Sequence, residues 1–142
     1  MSGALQKPSE VFQRKILPAF RDYGADPSNE RLANILAAAI NDQAEWTFQY
    51  YDRGDRSRLF GAATTIKFRE VIFGVCPELR MMWDLADADK HRFLTRPGLT
   101  RSVSLSTAAY SVRDSELWVS GFDKPFLPAA TIAMQFWKRW PD

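Results

Sequence analysis

Apolar residues recur at helical spacing through the first two thirds of the chain, then alternate with serines over one later stretch. Phe12, Ile16, Ala19, Phe20 and Tyr23 share a face while Arg14 and Arg21 point away, so a helix is expected over about Ser9 to Tyr23. Pro18 falls on its outer side and should bend the helix or break one turn. Asp26-Pro27 reads as the N-cap and first position of a second helix that runs to about Tyr51. Leu32, Ile35, Leu36, Ala39, Trp46 and Tyr50 form its expected apolar stripe. Gln43 falls inside that stripe, so it needs either a hydrogen-bond partner in the core or a cavity to face.

Asp52 to Arg58 is rich in turn formers, and a third helix is expected over about Ala62 to Phe73, stopped near Gly74. A fourth starts at Pro77, just after Cys76, and runs to about His91, before Pro97-Gly98 breaks the chain. Val103 and Leu105 alternate with serines, which predicts a strand. Tyr110 to Val119 reads as a hairpin around Asp114-Ser115 that sets Arg113 against Glu116, Val112 against Leu117 and Tyr110 against Val119. That register places Trp118 opposite Ser111 and away from the apolar pairs, where it packs under another element or marks a partner surface. Beyond Pro125 and Pro128, Ala129, Ile132, Ala133, Phe136 and Trp140 form one face of a closing helix. The expected fold is α+β and predominantly α: a four-helix bundle-like core, a small antiparallel hairpin or sheet, then a C-terminal helix. Residues 1–142 read as one domain, with 1–8 a flexible N-terminus.

Composition agrees with a folded domain. A chain of 142 residues buries roughly 70% of its unfolded surface. Five Trp and ten Phe supply large core-filling side chains. The single cysteine excludes an internal disulfide, and no Cys/His cluster has zinc spacing. Neither a signal-peptide run nor a membrane-length apolar stretch is present, so a cytoplasmic protein with no membrane contact is expected.

Net charge is only +2, from 19 basic and 17 acidic residues. The isoelectric point near 8.8 falls short of a dedicated nucleic-acid-binding domain. Local clusters keep RNA in view as a partner. Arg53, Arg56 and Arg58 sit in one loop with Arg69 nearby, and Lys90, Arg92, Arg96 and Arg101 follow the fourth helix. If the two groups share one end of the bundle they form a phosphate-binding patch whose affinity falls with salt. The interspersed Asp52, Asp55, Asp84, Asp87 and Asp89 make ordinary surface charge the better reading.

The fourth helix carries His91, the only histidine. Arg80, Asp84, Asp87 and His91 project within roughly 60° of one another on a helical wheel, opposite Leu79, Met82, Leu85 and Ala86. The structural reading is a solvated stripe braced by the pairs Arg80–Asp84 and Asp87–His91, each contributing about 0.2–0.5 kcal/mol. A catalytic reading makes His91 a general acid or base, Asp87 its orienting partner, and Arg80, Lys90 or Arg92 the clamp on a phosphate-derived anion. A metal reading would combine Asp84, Asp87 and His91 with Asp42 and Glu45. The chain lacks the repeated Glu-x-x-His pair of di-iron bundles, so neither metal nor cofactor is expected. The structural reading ranks first.

The run from Cys76-Pro77-Glu78-Leu79 to Asp87-Ala88-Asp89-Lys90-His91-Arg92 resembles a group of uncharacterised small bacterial proteins. These share a Cys-Pro and a helix ending in Ala-Asp/Asn-x-x-Lys-His, and the likeness extends back to Asn41-Asp42-x-x-Glu45-Trp46. More distantly, a bundle with a histidine at the end of a late helix resembles the HEPN superfamily. That superfamily includes RNA-cleaving toxins and defence nucleases, often dimeric, alongside non-catalytic binding domains. Its motif is an Arg, four to six residues, then His. Here His91 fills the second position while Arg80 stands too far upstream, with ten residues between, so the resemblance implies a catalytically silent relative.

The resulting expectation is a non-enzymatic helical binding or interaction module of a bacterial cytoplasm, whose partner is a second copy, another protein or RNA. The alternative is a metal-independent HEPN-like ribonuclease using His91, Asp87 and Arg80. Asp42, Gln43 and Glu45 are the candidate pocket residues on the second helix.

Overall fold

The computed structural model describes residues 7–91, 104–107 and 117–140. The first helical run opens with α1 (Pro8–Val11), passes through a π turn (Phe12–Ile16) and continues as α2 (Leu17–Ala25). The π turn is how the chain accommodates Pro18. Proline has no N–H to donate one turn back, and its ring crowds the carbonyl there. Widening the preceding turn, so that the Leu17 N–H reaches the Phe12 carbonyl, keeps the helix continuous. The expected flexible stretch 1–8 is corrected at its end, because Pro8 is buried and its carbonyl accepts a hydrogen bond from Gln43 Nε2 at 2.8 Å. Residues 1–6 lie outside the described residues.

The long helix α3 (Glu30–Asp52) starts later than Asp26-Pro27 suggests. Its N-cap is Asn29, whose side-chain oxygen accepts from the Leu32 N–H at 3.1 Å. Asn29 Nδ2 in turn donates to Asp26 Oδ2 at 3.0 Å, so Asp26 ends α2 and steadies the cap of α3. Asn29→Ala is expected to cost about 1 kcal/mol, read as a lower urea midpoint, whereas Asn29→Gly should cost only a few tenths.

The buried face of α3 comprises Ala33, Leu36, Ala37, Ile40, Gln43, Ala44, Thr47, Phe48 and Tyr51. This lies about one residue round from the expected stripe, and Ile35 is exposed. The three alanines on this face are small enough for neighbouring backbones to approach. α3 consequently touches α1, the π turn, α2, α4, α5 and α6.

A 3₁₀ turn (Arg56–Leu59) follows, and Phe60 then adopts a left-handed conformation with φ 54°. Residues 61–63 are spent on this turn, so α4 (Thr65–Val75) begins later than expected, N-capped by Thr64, and continues through Gly74. α5 (Pro77–His91) has the expected bounds. Strands β1 (Ser104–Thr107), β2 (Leu117–Ser120) and β3 (Lys124–Pro125) form an antiparallel sheet in the order β1-β2-β3.

The expected hairpin register is corrected. Val119 pairs with Leu105 on one side and Lys124 on the other, so Tyr110 cannot be its partner. Leu117 faces Thr107, and Trp118 lies across from Ser106 and Pro125. The supposed turn at Asp114-Ser115, with Tyr110 to Arg113, lies outside the described residues.

α6 (Phe126–Lys138) buries Phe126, Ala129, Ala130, Ala133 and Trp137, so Trp137 takes the core place expected for Ile132. The fold is predominantly helical, with a small antiparallel sheet and a C-terminal helix. Among the described residues, no helix is long and apolar enough to cross a membrane.

Candidate functional site

The polar stripe expected on α5 does not form. Asp84 is 0% exposed, while Arg80 is exposed and Asp87 half-buried. The cause is the position of α5 in the molecule. Leu79, Met81, Met82, Asp84 and Leu85 are all buried, so the buried arc takes in Asp84 and separates it from the exposed Arg80 and half-buried Asp87. Arg80 Nε stands 4.0 Å from Asp84 Oδ2, a cation at the mouth of a buried carboxylate, where an unpaired charge would be costly. His91 closes α5; its side chain and that of Lys90, with Arg92, Arg96 and Arg101, lie outside the described residues.

The pocket expected at Asp42, Gln43 and Glu45 is also corrected. Gln43 points into the core and binds the Pro8 carbonyl, while Asp42 and Glu45 are exposed. These positions diverge around α3, because each residue turns the helix by about 100°.

Asp42 and Glu45 flank Arg69 instead. Its Nη1 is 3.9 Å from Glu45 Oε2, its Nη2 donates to the Asn41 carbonyl at 3.2 Å, and its guanidinium lies 5.8 Å from the centre of the Trp83 ring. Only 12% of the Arg69 side chain is exposed. Burial pushes its pKa down, and the carboxylates of Glu45 and Asp42 oppose that shift. Arg69 therefore links α4 to α3 and α5. Read as one member of a loop cluster, it gave no sign of this role. The available signal was a lone arginine one residue after Phe68 on an otherwise apolar helix face.

The arginines of the 52–58 loop are largely engaged by the loop's own groups. Arg56 pairs with Asp52 and donates from Nη2 to the Ala62 carbonyl at 3.1 Å. Arg58 Nε stands 3.8 Å from Asp55 Oδ2. The Ser57 hydroxyl and N–H both donate to Asp55 and hold its carboxyl below the ordinary range. Arg53 follows the last turn of α3 and is exposed.

A groove of about 340 Å³ lies where the α4–α5 junction meets α6, lined by Val75, Cys76, Ile132, Gln135, Phe136, Arg139 and Trp140. Val75 is 67% exposed and Ile132 46%. Behind them the rings of Phe136, Phe68 and Phe60 lie 5.4, 5.7 and 5.7 Å from Trp140. Local sequence explains these walls: α4 runs past Gly74 and lifts Val75 outward, Pro77 then opens α5, and no residue from Phe126 to Trp137 is charged.

Cys76 is a packing group here. Burial and the neighbouring Glu78 push its thiol pKa up to about 11, so it is a neutral thiol at neutral pH and a poor nucleophile. A second concavity, of about 500 Å³, lies beside Phe60, Ala63, Lys67, Glu70 and Val71. Among the described residues, no group of three or more His, Cys, Asp or Glu side chains is placed to hold a metal ion. Trp118, the sequence candidate for a partner surface, is half-buried in β2; the exposed large apolar side chains among the described residues are Ile35, Phe60, Ile66, Val75, Leu127 and Ile132, of which Val75 and Ile132 line the groove. Compared with family models, with curated proteins and with solved structures, the chain matches none.

Proposed function

We propose that this protein is a non-enzymatic interaction module of a bacterial cytoplasm, seating an apolar partner surface in the groove between the α4–α5 junction and α6. The observation that carries this reading is the exposure of Val75 and Ile132 beside the Phe136–Trp140 rings. Isolated exposed apolar residues are ordinary, but several around one aromatic-backed concavity have the makings of a binding site. Gln135 and Arg139 add polar groups to the lining, as expected around an apolar contact centre. The lone buried cysteine suits a reducing compartment.

The test is capture by the intact protein from its native extract, followed by reconstitution of any complex from purified components. A partner held in equal proportion by wild type and by an Arg14→Glu control, and lost by both Val75→Glu and Ile132→Glu, is the expected result. Both glutamates fall at exposed positions, so circular dichroism should show an unchanged fold. Identical binding by wild type and the two groove variants would overturn the reading.

A further inference from the structure

We infer that the buried face of α3 carries a binding site for one internal water molecule, held between Gln43 Oε1 and Thr47 Oγ1. The site stands whatever partner the groove takes.

Gln43 and Thr47 are 1% and 0% exposed, and neither Gln43 Oε1 nor Thr47 Oγ1 has a hydrogen-bond partner among the described residues. A polar group shut away from solvent costs stability unless something bonds to it, so folded chains satisfy such groups with protein atoms or with ordered water. The Gln43 amide is already committed through its other end. Its Nε2 donates to the Pro8 carbonyl at 2.8 Å, and turning the amide to offer the oxygen elsewhere would break that bond. A threonine inside a helix commonly donates to the carbonyl one turn back. Thr131 does so in α6, reaching the Leu127 carbonyl at 2.8 Å. Thr47 makes no such bond, so its hydroxyl is left for a partner outside its own backbone.

Spacing on α3 brings the two oxygens to one place. Residues four apart share a helix face, with Cβ atoms about 5–6 Å apart. A water making two hydrogen bonds of about 2.8 Å spans that order of distance. The donors and acceptors also match. Gln43 Oε1 accepts, while the Thr47 hydroxyl both donates and accepts, so a water between them finds a partner on each side. The indole N–H groups of Trp137 and Trp140 are unpartnered among the described residues as well. Both only donate, however, and a water placed between them would gain no acceptor for its own hydrogens. Interior water settles where two or more polar groups would otherwise go unsatisfied, and the Gln43–Thr47 pair meets that condition. The resulting chain runs from the Pro8 carbonyl through the Gln43 amide and the water to the Thr47 hydroxyl. Bonds linked in this way polarise one another, so the water extends the contact between the first helical run and α3 by one further turn.

The experiment is a high-resolution crystal structure of the full chain, as wild type, Thr47→Ser and Thr47→Val. Magnetic relaxation dispersion of the solvent nuclei counts long-lived internal waters in solution beside it. Wild type and Thr47→Ser, which keeps the hydroxyl, should both show a water within about 3.2 Å of the two oxygens. Thr47→Val, close in volume but without the hydroxyl, should lose that water, and its dispersion amplitude should fall by the share of one water. A wild-type core with no water between the two side chains overturns the inference, whether Thr47 then bonds directly to Gln43 or to nothing. A water that persists unchanged in Thr47→Val also overturns it, because Thr47 would have no part in holding it. Should Thr47→Val fold poorly, the wild-type map decides the matter by itself.

Discussion

Phe126→Ala is expected to remove about 3–5 kcal/mol of stability, against the roughly 5–15 kcal/mol that a domain typically has in total. Phe126 is completely buried and meets the Tyr23 ring edge-to-face, with centroids 5.2 Å apart. Tyr23 is itself fixed, since its hydroxyl donates to the Pro27 carbonyl at 2.7 Å. The pair therefore joins the first helical run to the last, elements separated by most of the chain. Truncation leaves a ring-sized void that a rigid Tyr23 cannot move to fill, so the full cavity cost should appear. Phe126→Leu, which keeps most of the volume, should cost far less. Urea unfolding followed by tryptophan fluorescence measures both variants. A loss below about 1 kcal/mol for the alanine variant would mean that α6 is not anchored through this ring.

That anchor bears on the proposed function. The groove has two walls, and separate contacts hold each one. Phe126 at the start of α6 and Trp137 near its end are both buried, which fixes the wall that carries Ile132 and Arg139. On the opposite side, Arg69 ties α4 to the Asn41 carbonyl of α3 and to the Trp83 ring of α5. The junction bearing Val75 and Cys76 is thereby set relative to the core. A surface held in this way would not have to be ordered before the proposed partner docks, which would lower the entropic cost of association.

Punctuation was legible in the sequence, whereas the breadth of burial was not. Cys76-Pro77 marks the start of α5 because proline suits a first helical turn, and the helix begins there. The wheel for α5 places Leu79, Met82 and Leu85 inward, and all three are buried. The same wheel gives no width for the buried arc. Neighbours close in until Met81 and Asp84 are covered too, so an apparently solvated stripe becomes a strip with a buried carboxylate on one margin.

On α3 the deciding residues are alanines, which carry little hydrophobic weight in a pattern but admit close packing at 33, 37 and 44. The larger Leu32, Ile35 and Trp46 suggested a stripe one residue away. The sheet register failed for a different reason: Val119 takes neighbours from both sides, Leu105 and Lys124, and a pattern of adjacent residues cannot reveal a strand arriving from beyond the next turn. Arg69 and the groove both depend on contacts distant in sequence, so neither has a local signature.

Gln43 shows how a correct local inference can carry the wrong function, and replacing it should produce the second large effect. A glutamine within an apolar stripe needs a partner, and it has one in the Pro8 carbonyl. Gln43→Leu keeps the approximate volume and removes the side-chain donor to that carbonyl, which still accepts from the Phe12 N–H, so it should cost about 0.5–1.5 kcal/mol, the net worth of one hydrogen bond. Part of this is offset, because Gln43 Oε1 is itself buried with no hydrogen-bond partner among the described residues and leaves with the side chain. The loss should be local. Amide exchange in α1 and the π turn should accelerate well beyond the change in α5, since the lost bond tethers the first helical run to α3 and touches no other element. Gln43→Glu should do worse, replacing the side-chain donor to Pro8 with a carboxylate in the core. Hydrogen exchange read by mass spectrometry separates the alternatives. Uniform acceleration across α1, α3 and α5 would make Gln43 a general packing residue, whereas acceleration confined to residues 8–16 would establish it as the clasp that holds the start of the chain against α3.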